Sequence, residues 1–305
     1  MALLNKVDYA EYIKTTAMFY VDEKLEQEFE QEITYATDTL WARMKGIATM
    51  DGLKQFIKDD EEAIEKLINL MNISSEKFKR VITTLRLEKG HTISGEWDLA
   101  KIRTMMIQRP VFMDEVCDLL ANGANDPKFK KLIPQFYLEN FVIDSATMAR
   151  LSNPDDLRRL IKKGVEGRYN NQIGDSYYKA IQSAVERICF EEGLTYVTNK
   201  HIPLIGRPAH FAIPNERDPR VIIDLSYNIT TSSTQSRFKA AAEQAAAKIR
   251  DHNASAAKPV AFVNVLDGAG WVGRQADFRA IHLCSTYALH ITTLDDLKQI
   301  IDEYC

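Results

Sequence analysis

The sequence is poor in the residues that build disulfide frameworks and structural zinc sites. It has four cysteines, and none of them belongs to a CxxC motif or to a Cys/His pair at zinc-ligand spacing: Cys117, Cys189, Cys284 and Cys305. Closely spaced pairs are typical of both kinds of site. We therefore expect reduced thiols, most of them buried.

Long apolar runs are also absent. Charged residues break every apolar stretch before it reaches the roughly 18 to 20 residues that a membrane-spanning helix requires. Lys6, Asp8, Glu11 and Lys14 likewise interrupt any apolar segment of a signal peptide. We therefore expect a soluble, cytoplasmic protein.

Three motifs of nucleotide and ester chemistry are missing: GxxxxGK[ST], GxGxxG and GxSxG. The first two build loops that cradle nucleotide phosphates, and the third presents the serine of many hydrolases. His-rich metal motifs are absent too. These classes of nucleotide-binding protein and hydrolase are therefore unsupported.

Charge of either sign is unevenly distributed along the chain. The net charge is −4, and residues 1–70 hold 15 acidic against eight basic residues. Residues 76–110 hold eight basic against four acidic residues, and residues 157–168 hold five against one. Local basic segments can follow a phosphate backbone, but a solvated helix face gives the same counts. Both interpretations stay open.

The spacing of apolar residues divides the chain into two parts. From Tyr9 to about Arg168 apolar residues recur every three or four positions, which predicts helices. One of these helices is expected to run over 155–163 and to end at Gly164. Beyond Gly174, predicted strands alternate with predicted helices at 175–192, 240–249 and 277–284. The predicted strands are 194–198, 210–213, 221–229, 260–266 and 287–291.

This pattern predicts an α/β (α+β) fold, in which a helical region over residues 1–160 precedes a domain over residues 161–305. The second domain is expected to contain a mixed sheet flanked by helices. Asp224 follows three apolar residues in one of the predicted strands. Its carboxylate must therefore be paired, bound to a metal or placed at the open end of the sheet.

Three segments of the second domain resemble one known family. VEGRYNNQIGD (165–175), VIIDLSYNITTSSTQS (221–236) and VNVLDGAGWVGRQADFRAIH (263–282) are similar to parts of the PD-(D/E)xK nuclease superfamily, above all to type II restriction endonucleases. The resemblance covers roughly residues 160–300. It implies a nuclease core that hydrolyses phosphodiester bonds with Mg²⁺, or with Mn²⁺. It also implies that Asp224 and the carbonyl of Leu225 are metal ligands.

The active-site motif departs from the family pattern at two positions. Ser226 stands where the family has a lysine, so Lys239 in the following helix is the candidate substitute, although a surface lysine fits equally. His210 stands where the family has its first acid, and histidine binds Mg²⁺ poorly. Glu186, on the predicted helix before the sheet, is either a supporting carboxylate or a surface acid.

Polar residues near this motif are candidates for contacts with DNA. Ser232, Ser233 and Gln235 can grip a phosphate at a helix N-terminus, or they can simply cap that helix. Arg274 and Gln275 can contact phosphates or base edges, or hold their turn together.

The resemblance therefore implies a sequence-specific double-stranded DNA endonuclease of a restriction-modification system. The helical region would contribute DNA binding or dimerisation, a palindromic site would call for a homodimer, and a companion DNA methyltransferase is expected. The departures at His210 and Ser226 favour an alternative, a catalytically decayed DNA-binding or partner subunit. A helical scaffold without a nucleic-acid role is a third possibility.

Overall fold

The structure is a computed structural model that describes residues 6–44, 46–90, 95–151 and 153–305. The chain forms two compact units. One holds Lys24–Tyr169, and the other combines the N-terminal segment up to Glu23 with Asn170–Cys305. The units differ from the predicted division at residue 160 because the N-terminal segment packs with the C-terminal part of the chain. We call them the helical unit and the α/β unit.

The described part of the chain before the sheet is helical, as predicted. The helices are α1 (Tyr9–Tyr12), α2 (Glu23–Met44), α3 (Met50–Asp59), α4 (Ala63–Leu70), α5 (Ser75–Glu88), α6 (Leu99–Gln108), α7 (Pro110–Asn122), α8 (Pro127–Lys130), α9 (Gln135–Leu138), α10 (Ser145–Leu151) and α11 (Pro154–Glu191), with a 3-10 turn at Ile13–Thr15. The apolar faces of α2 to α7 bury one continuous core that includes Ile33, Leu67, Phe78 and Leu120.

Helix α11 overturns the prediction that a helix ends at Gly164. It continues for 38 residues through Gly164, Gly167 and Gly174. A glycine inside a helix costs only about 1 kcal/mol relative to alanine, and nothing else in the segment breaks the helix. Packing offsets that cost, because Leu157 on one stretch and Ile181 on the other are buried.

The α/β unit contains a five-stranded mixed sheet. The elements that follow α11 are β1 (Val197–Ile202), β2 (Arg207–Ile213), β3 (Val221–Tyr227), α12 (Ser233–Asn253), β4 (Ala261–Asp267), α13 (Ala269–Val272), α14 (Gln275–Cys284), β5 (Tyr287–Leu289), a 3-10 turn (Ile291–Thr293) and α15 (Asp296–Tyr304). The strands lie in chain order; β1, β2 and β3 pair antiparallel, and β3, β4 and β5 pair parallel. The predicted mixed sheet is confirmed.

Helices cover both faces of the sheet. Side chains of α11 and α15 pack on one face, against residues such as Ile223 and Val263. Side chains of α12 and α14 pack on the other face, against Ile222 and Phe262. This burial on two faces explains why β3 and β4 are apolar almost throughout. Among the described helices, none pairs enough length with enough apolar character to cross a bilayer.

Candidate functional site

Asp224 lies in the middle of β3 with only 1% of its surface exposed. Strand β3 is flanked by β2 and β4, so the carboxylate cannot reach water around an edge of the sheet. A buried carboxylate is stable only when charged or hydrogen-bonding groups compensate for the lost hydration. Two side chains of β2, Arg207 and His210, provide that compensation.

Arg207 is the direct partner of Asp224. Its Nη2 atom donates to Asp224 Oδ2 over 2.5 Å and lies 3.5 Å from the carbonyl oxygen of Ala241 on α12. The Arg207 side chain is 27% exposed, so the ion pair connects the buried acid to the surface. Its Nε atom is buried without a hydrogen-bond partner. Arg207 is not among the predicted site residues; the sequence signal for it is the need of a buried Asp224 for a partner.

His210 contacts the other oxygen of Asp224. Its Nδ1 atom lies 3.3 Å from Asp224 Oδ1 and 3.2 Å from the backbone nitrogen of Leu225. One ring nitrogen cannot accept from the Leu225 N–H and donate to Asp224 at the same time. A neutral ring with a bare Nδ1 therefore bonds to Leu225, whereas a ring protonated at Nδ1 bonds to Asp224. The His210 side chain is 34% exposed.

The partners keep Asp224 ionised. Burial alone would raise the pKa of this carboxyl, but the hydrogen bonds from His210 and Arg207 and their charges outweigh burial and lower the pKa. The result is a buried carboxylate whose charge is balanced by a neighbouring guanidinium.

The residues around Asp224 do not fit a resident Mg²⁺. Arg207 and His210 already contact its two carboxylate oxygens. In the described ranges, no group of three or more His, Cys, Asp or Glu side chains is arranged to hold a metal ion. Mg²⁺ requires near-octahedral oxygen ligands, which a single carboxylate paired with arginine does not offer. The other predicted ligand residue, Leu225, lies beside Asp224 and pairs with Val265 in the β3–β4 ladder.

The remaining candidates for catalysis have other partners in the structure. Ser226 is half-buried, and its hydroxyl accepts from the side-chain amide of Asn228 over 2.7 Å. Lys239 places Nζ 3.6 Å from Asp277 Oδ1, so its ion pair is with α14. Glu186 is exposed on α11, next to the buried Val185. None of these three has a direct contact with Asp224 among the contacts of the described residues.

A second polar cluster joins the N-termini of α12 and α14. Ser232 caps α12 in a capping box with Gln235, whose side chain is fully buried and accepts from the Ser232 backbone. Arg274 donates to the Ser232 carbonyl over 2.7 Å and to Ser236 Oγ over 2.6 Å, and it pairs with Asp277 at 2.8 Å. Of the predicted DNA contacts, Ser232 and Arg274 therefore join the two helices, and Gln235 completes the cap of α12.

The other two predicted DNA contacts lie on the surface. Ser233 is exposed and accepts from Arg237 Nη2 over 3.4 Å. Gln275 is exposed, and its backbone carbonyl accepts from the Tyr9 hydroxyl. Trp271, three residues before Arg274, is fully buried.

The structure also reveals a second buried acid, Asp267, at the end of β4. It is fully buried; Oδ1 accepts from the Ala17 N–H, and Oδ2 accepts from the Tyr177 hydroxyl and the Ile291 N–H, all within 2.8 Å. His290, also fully buried, lies 3.2 Å away. The apolar strand before Asp267 was the only sequence signal for it.

Comparison of the chain with models of known protein families and with curated protein sequences gives no match. The site around Asp224 therefore has to be interpreted from its own chemistry.

Proposed function

We propose that this protein binds duplex DNA and cleaves it at a short sequence, as the resemblance of residues 165–282 to restriction endonucleases implies. The observation that carries the proposal is Asp224, an ionised carboxylate buried in the central strand of a mixed sheet between two partly exposed basic side chains. Perturbed, partnered acids of this kind are characteristic of functional sites.

The chemistry would be hydrolysis of a phosphodiester bond, in which water attacks phosphorus and the bond to the leaving oxygen breaks. The Arg207 guanidinium matches the geometry of a phosphate and can balance its charge. His210 can take up the proton of the attacking water, and solvent can protonate the leaving oxygen. These steps use the chain's own residues and water.

A second candidate is a DNA-binding or partner subunit without cleavage activity. The specific observation in its favour is that Arg207 and His210 occupy both oxygens of Asp224, where the family binds its metal. Under this proposal the pair stabilises the sheet, and recognition of DNA is the whole function.

Incubation of the protein with plasmid DNA in Mg²⁺, in Mn²⁺ and in a chelator separates the two candidates. An endonuclease gives discrete fragments that the Asp224→Asn variant does not produce. The matched control is Asp218→Asn, which changes an exposed acid in the turn between β2 and β3 and should leave the fragments unchanged. Binding of DNA by the wild type without fragments under any condition rejects cleavage and supports the second candidate.

The same proposal includes a homodimer on a palindromic site and a companion DNA methyltransferase. Sedimentation with and without a cleavage-site duplex tests the dimer, because two-fold symmetric DNA requires two copies of the protein. A single copy of the chain on the duplex contradicts it.

A further inference from the structure

The basic segment at residues 76–110 contributes to a small cavity in the helical unit. The cavity has a volume of about 180 Å³ and is lined by Arg86, Lys89, Trp97, Arg109, Val111 and Phe112. This volume far exceeds the roughly 10–15 Å³ that one water molecule needs. Three of the six lining side chains are cationic, two are aromatic, and none is acidic.

Arg86 is the unusual residue of this cavity. It is only 4% exposed, although arginine is rarely buried without a partner. The central carbon of its guanidinium lies over the Trp97 ring, 3.5 Å from the centroid, and Nη1 donates to the carbonyl of Gly95 over 3.3 Å. Its Nε atom is buried without a hydrogen-bond partner, and no carboxylate of the described residues forms an ion pair with it. Burial lowers the pKa of Arg86.

The other charged side chains that line the cavity are also basic. Glu115 on α7 has Lys89 2.5 Å from one of its carboxylate oxygens and Lys128 3.6 Å from the other. This carboxylate is therefore already shared by two lysines. Arg109 is exposed at the start of α7 and brings a further positive charge to the cavity. Arg86 and Arg109, which form no ion pair among the described residues, line the same cavity, and two such cations favour a bound anion.

We propose that this cavity binds a phosphate group. The planar guanidinium of Arg86 is held in one orientation by Trp97, so its free donors are preorganised for the tetrahedral oxygens of a phosphate. Arg109 at the rim adds a second, mobile donor. The aromatic pair Trp97 and Phe112, with ring centroids 6.0 Å apart at 89°, supplies apolar walls that strengthen the electrostatic interaction.

The phosphate can belong to the backbone of DNA or to a free small molecule, and the same chemistry recognises both. The DNA source rests on the proposed function, whereas the small-molecule source does not. Titration calorimetry with inorganic phosphate and fluorescence anisotropy with a labelled duplex, in chelator so that no cleavage occurs, therefore form the two arms of the experiment.

Two variants test the cavity. Arg109→Ala removes an exposed side chain and leaves the core intact, and Arg86→Lys keeps the charge but loses the planar fork. We expect each to weaken phosphate affinity about tenfold, the effect of one lost charge-assisted hydrogen bond. The matched control is Arg80→Ala, an exposed residue on α5 that pairs only distantly with Glu76, at 3.9 Å. It should change the affinity less than about twofold.

The outcomes separate the sources of the phosphate. If duplex affinity also falls in Arg109→Ala and its salt dependence decreases by about one released ion, the site binds the DNA backbone. If only the affinity for inorganic phosphate falls, the site binds a free phosphate compound. Affinities of Arg109→Ala that equal those of Arg80→Ala in both arms overturn the proposal, even if Arg86→Lys fails to fold. Neither measurement depends on DNA cleavage at Asp224. The phosphate site and the proposed nuclease function can therefore fail independently.

Discussion

Two buried aspartates lie on the adjacent strands β3 and β4, but their partners differ in kind. Asp267 accepts two backbone N–H groups and a buried tyrosine hydroxyl, all fixed by the fold. Among the described residues, Asp224 is bonded to two side chains, Arg207 and His210, which are 27% and 34% exposed. A ligand can reorganise side chains that reach solvent, whereas backbone donors move only if the fold does. The comparison indicates that Asp267 serves stability and that Asp224 is available for function.

His290 strengthens the structural role of Asp267. Its Nδ1 lies 2.6 Å from the carbonyl oxygen of Leu266, and its Nε2 lies 2.8 Å from that of Tyr12. Nε2 also lies 3.3 Å from the Thr16 hydroxyl. Together, His290 and Asp267 tie the N-terminal segment to β4 and to the turn that follows β5.

The largest effect is expected when Asp267 is removed. Asp267→Ala leaves three donors without a partner, namely the N–H groups of Ala17 and Ile291 and the hydroxyl of Tyr177, so we expect the free energy of unfolding to fall by about 3–5 kcal/mol. Urea denaturation followed by circular dichroism measures the change. Asp251→Ala, at an exposed position on α12, is the matched control and should stay within about 0.5 kcal/mol. A loss below about 1 kcal/mol for Asp267→Ala would remove the distinction between the two acids.

A smaller effect, with a characteristic pH dependence, is expected for Asp224→Asn. Arg207 and His210 can turn to water when they lose their partner, so we expect a loss of about 1–3 kcal/mol near neutral pH. The pKa of Asp224 is lowered from its ordinary 3.8, so its stabilisation is complete above that value. It disappears as the pH falls through the lowered pKa.

Urea denaturation at a series of pH values measures this dependence. The difference in unfolding free energy between the wild type and Asp224→Asn should be constant around neutral pH and shrink in acid. A difference that grows in acid would mean that the pKa of Asp224 is raised, and the carboxylate would then not be held ionised by its partners.

The sequence predicted the parts of this site that depend on neighbours along the chain. Val221, Ile222 and Ile223 predict a buried strand, and a buried strand makes Asp224 a residue in need of a partner. The turn signals between β2 and β3 likewise predict that these two strands form a hairpin. Local apolar spacing is sufficient for both conclusions.

Contacts between distant residues could not be read from the sequence. Arg207 reaches Asp224 from the neighbouring antiparallel strand across 17 positions of sequence. Asp267 receives the Ala17 N–H from a segment 250 positions earlier in the chain. No apolar periodicity carries such information. The glycines of α11 predicted a helix end that does not occur, because tertiary packing outweighed the low helix propensity of glycine.

A third prediction tests whether His210, the more exposed partner of Asp224, can be replaced by a metal ligand. His210→Asp places a second carboxylate beside Asp224, and the two like charges should destabilise the sheet unless a cation binds between them. We expect Mn²⁺ at ten times its dissociation constant to stabilise this variant by about 1.4 kcal/mol and to have no such effect on the wild type. Thermal denaturation with and without Mn²⁺ measures it. His201→Asp, exposed on β1, is the control, and equal stabilisation of both variants would contradict a site at Asp224.

The smallest effect applies the same distinction between structural and accessible polar groups to the N-terminus of α12. Ser232 caps this helix, so Ser232→Ala should lower the free energy of unfolding by about 1 kcal/mol and leave affinity for duplex DNA unchanged. Ser233→Ala, one position further along, removes an exposed hydroxyl outside the capping box and should change stability less. Denaturation and anisotropy titrations of both variants give the two quantities. A helix cap stabilises its helix whether or not DNA is present. If Ser232→Ala instead keeps its stability and loses affinity for DNA, the Ser232 hydroxyl is, like Asp224, a group that is available to a ligand.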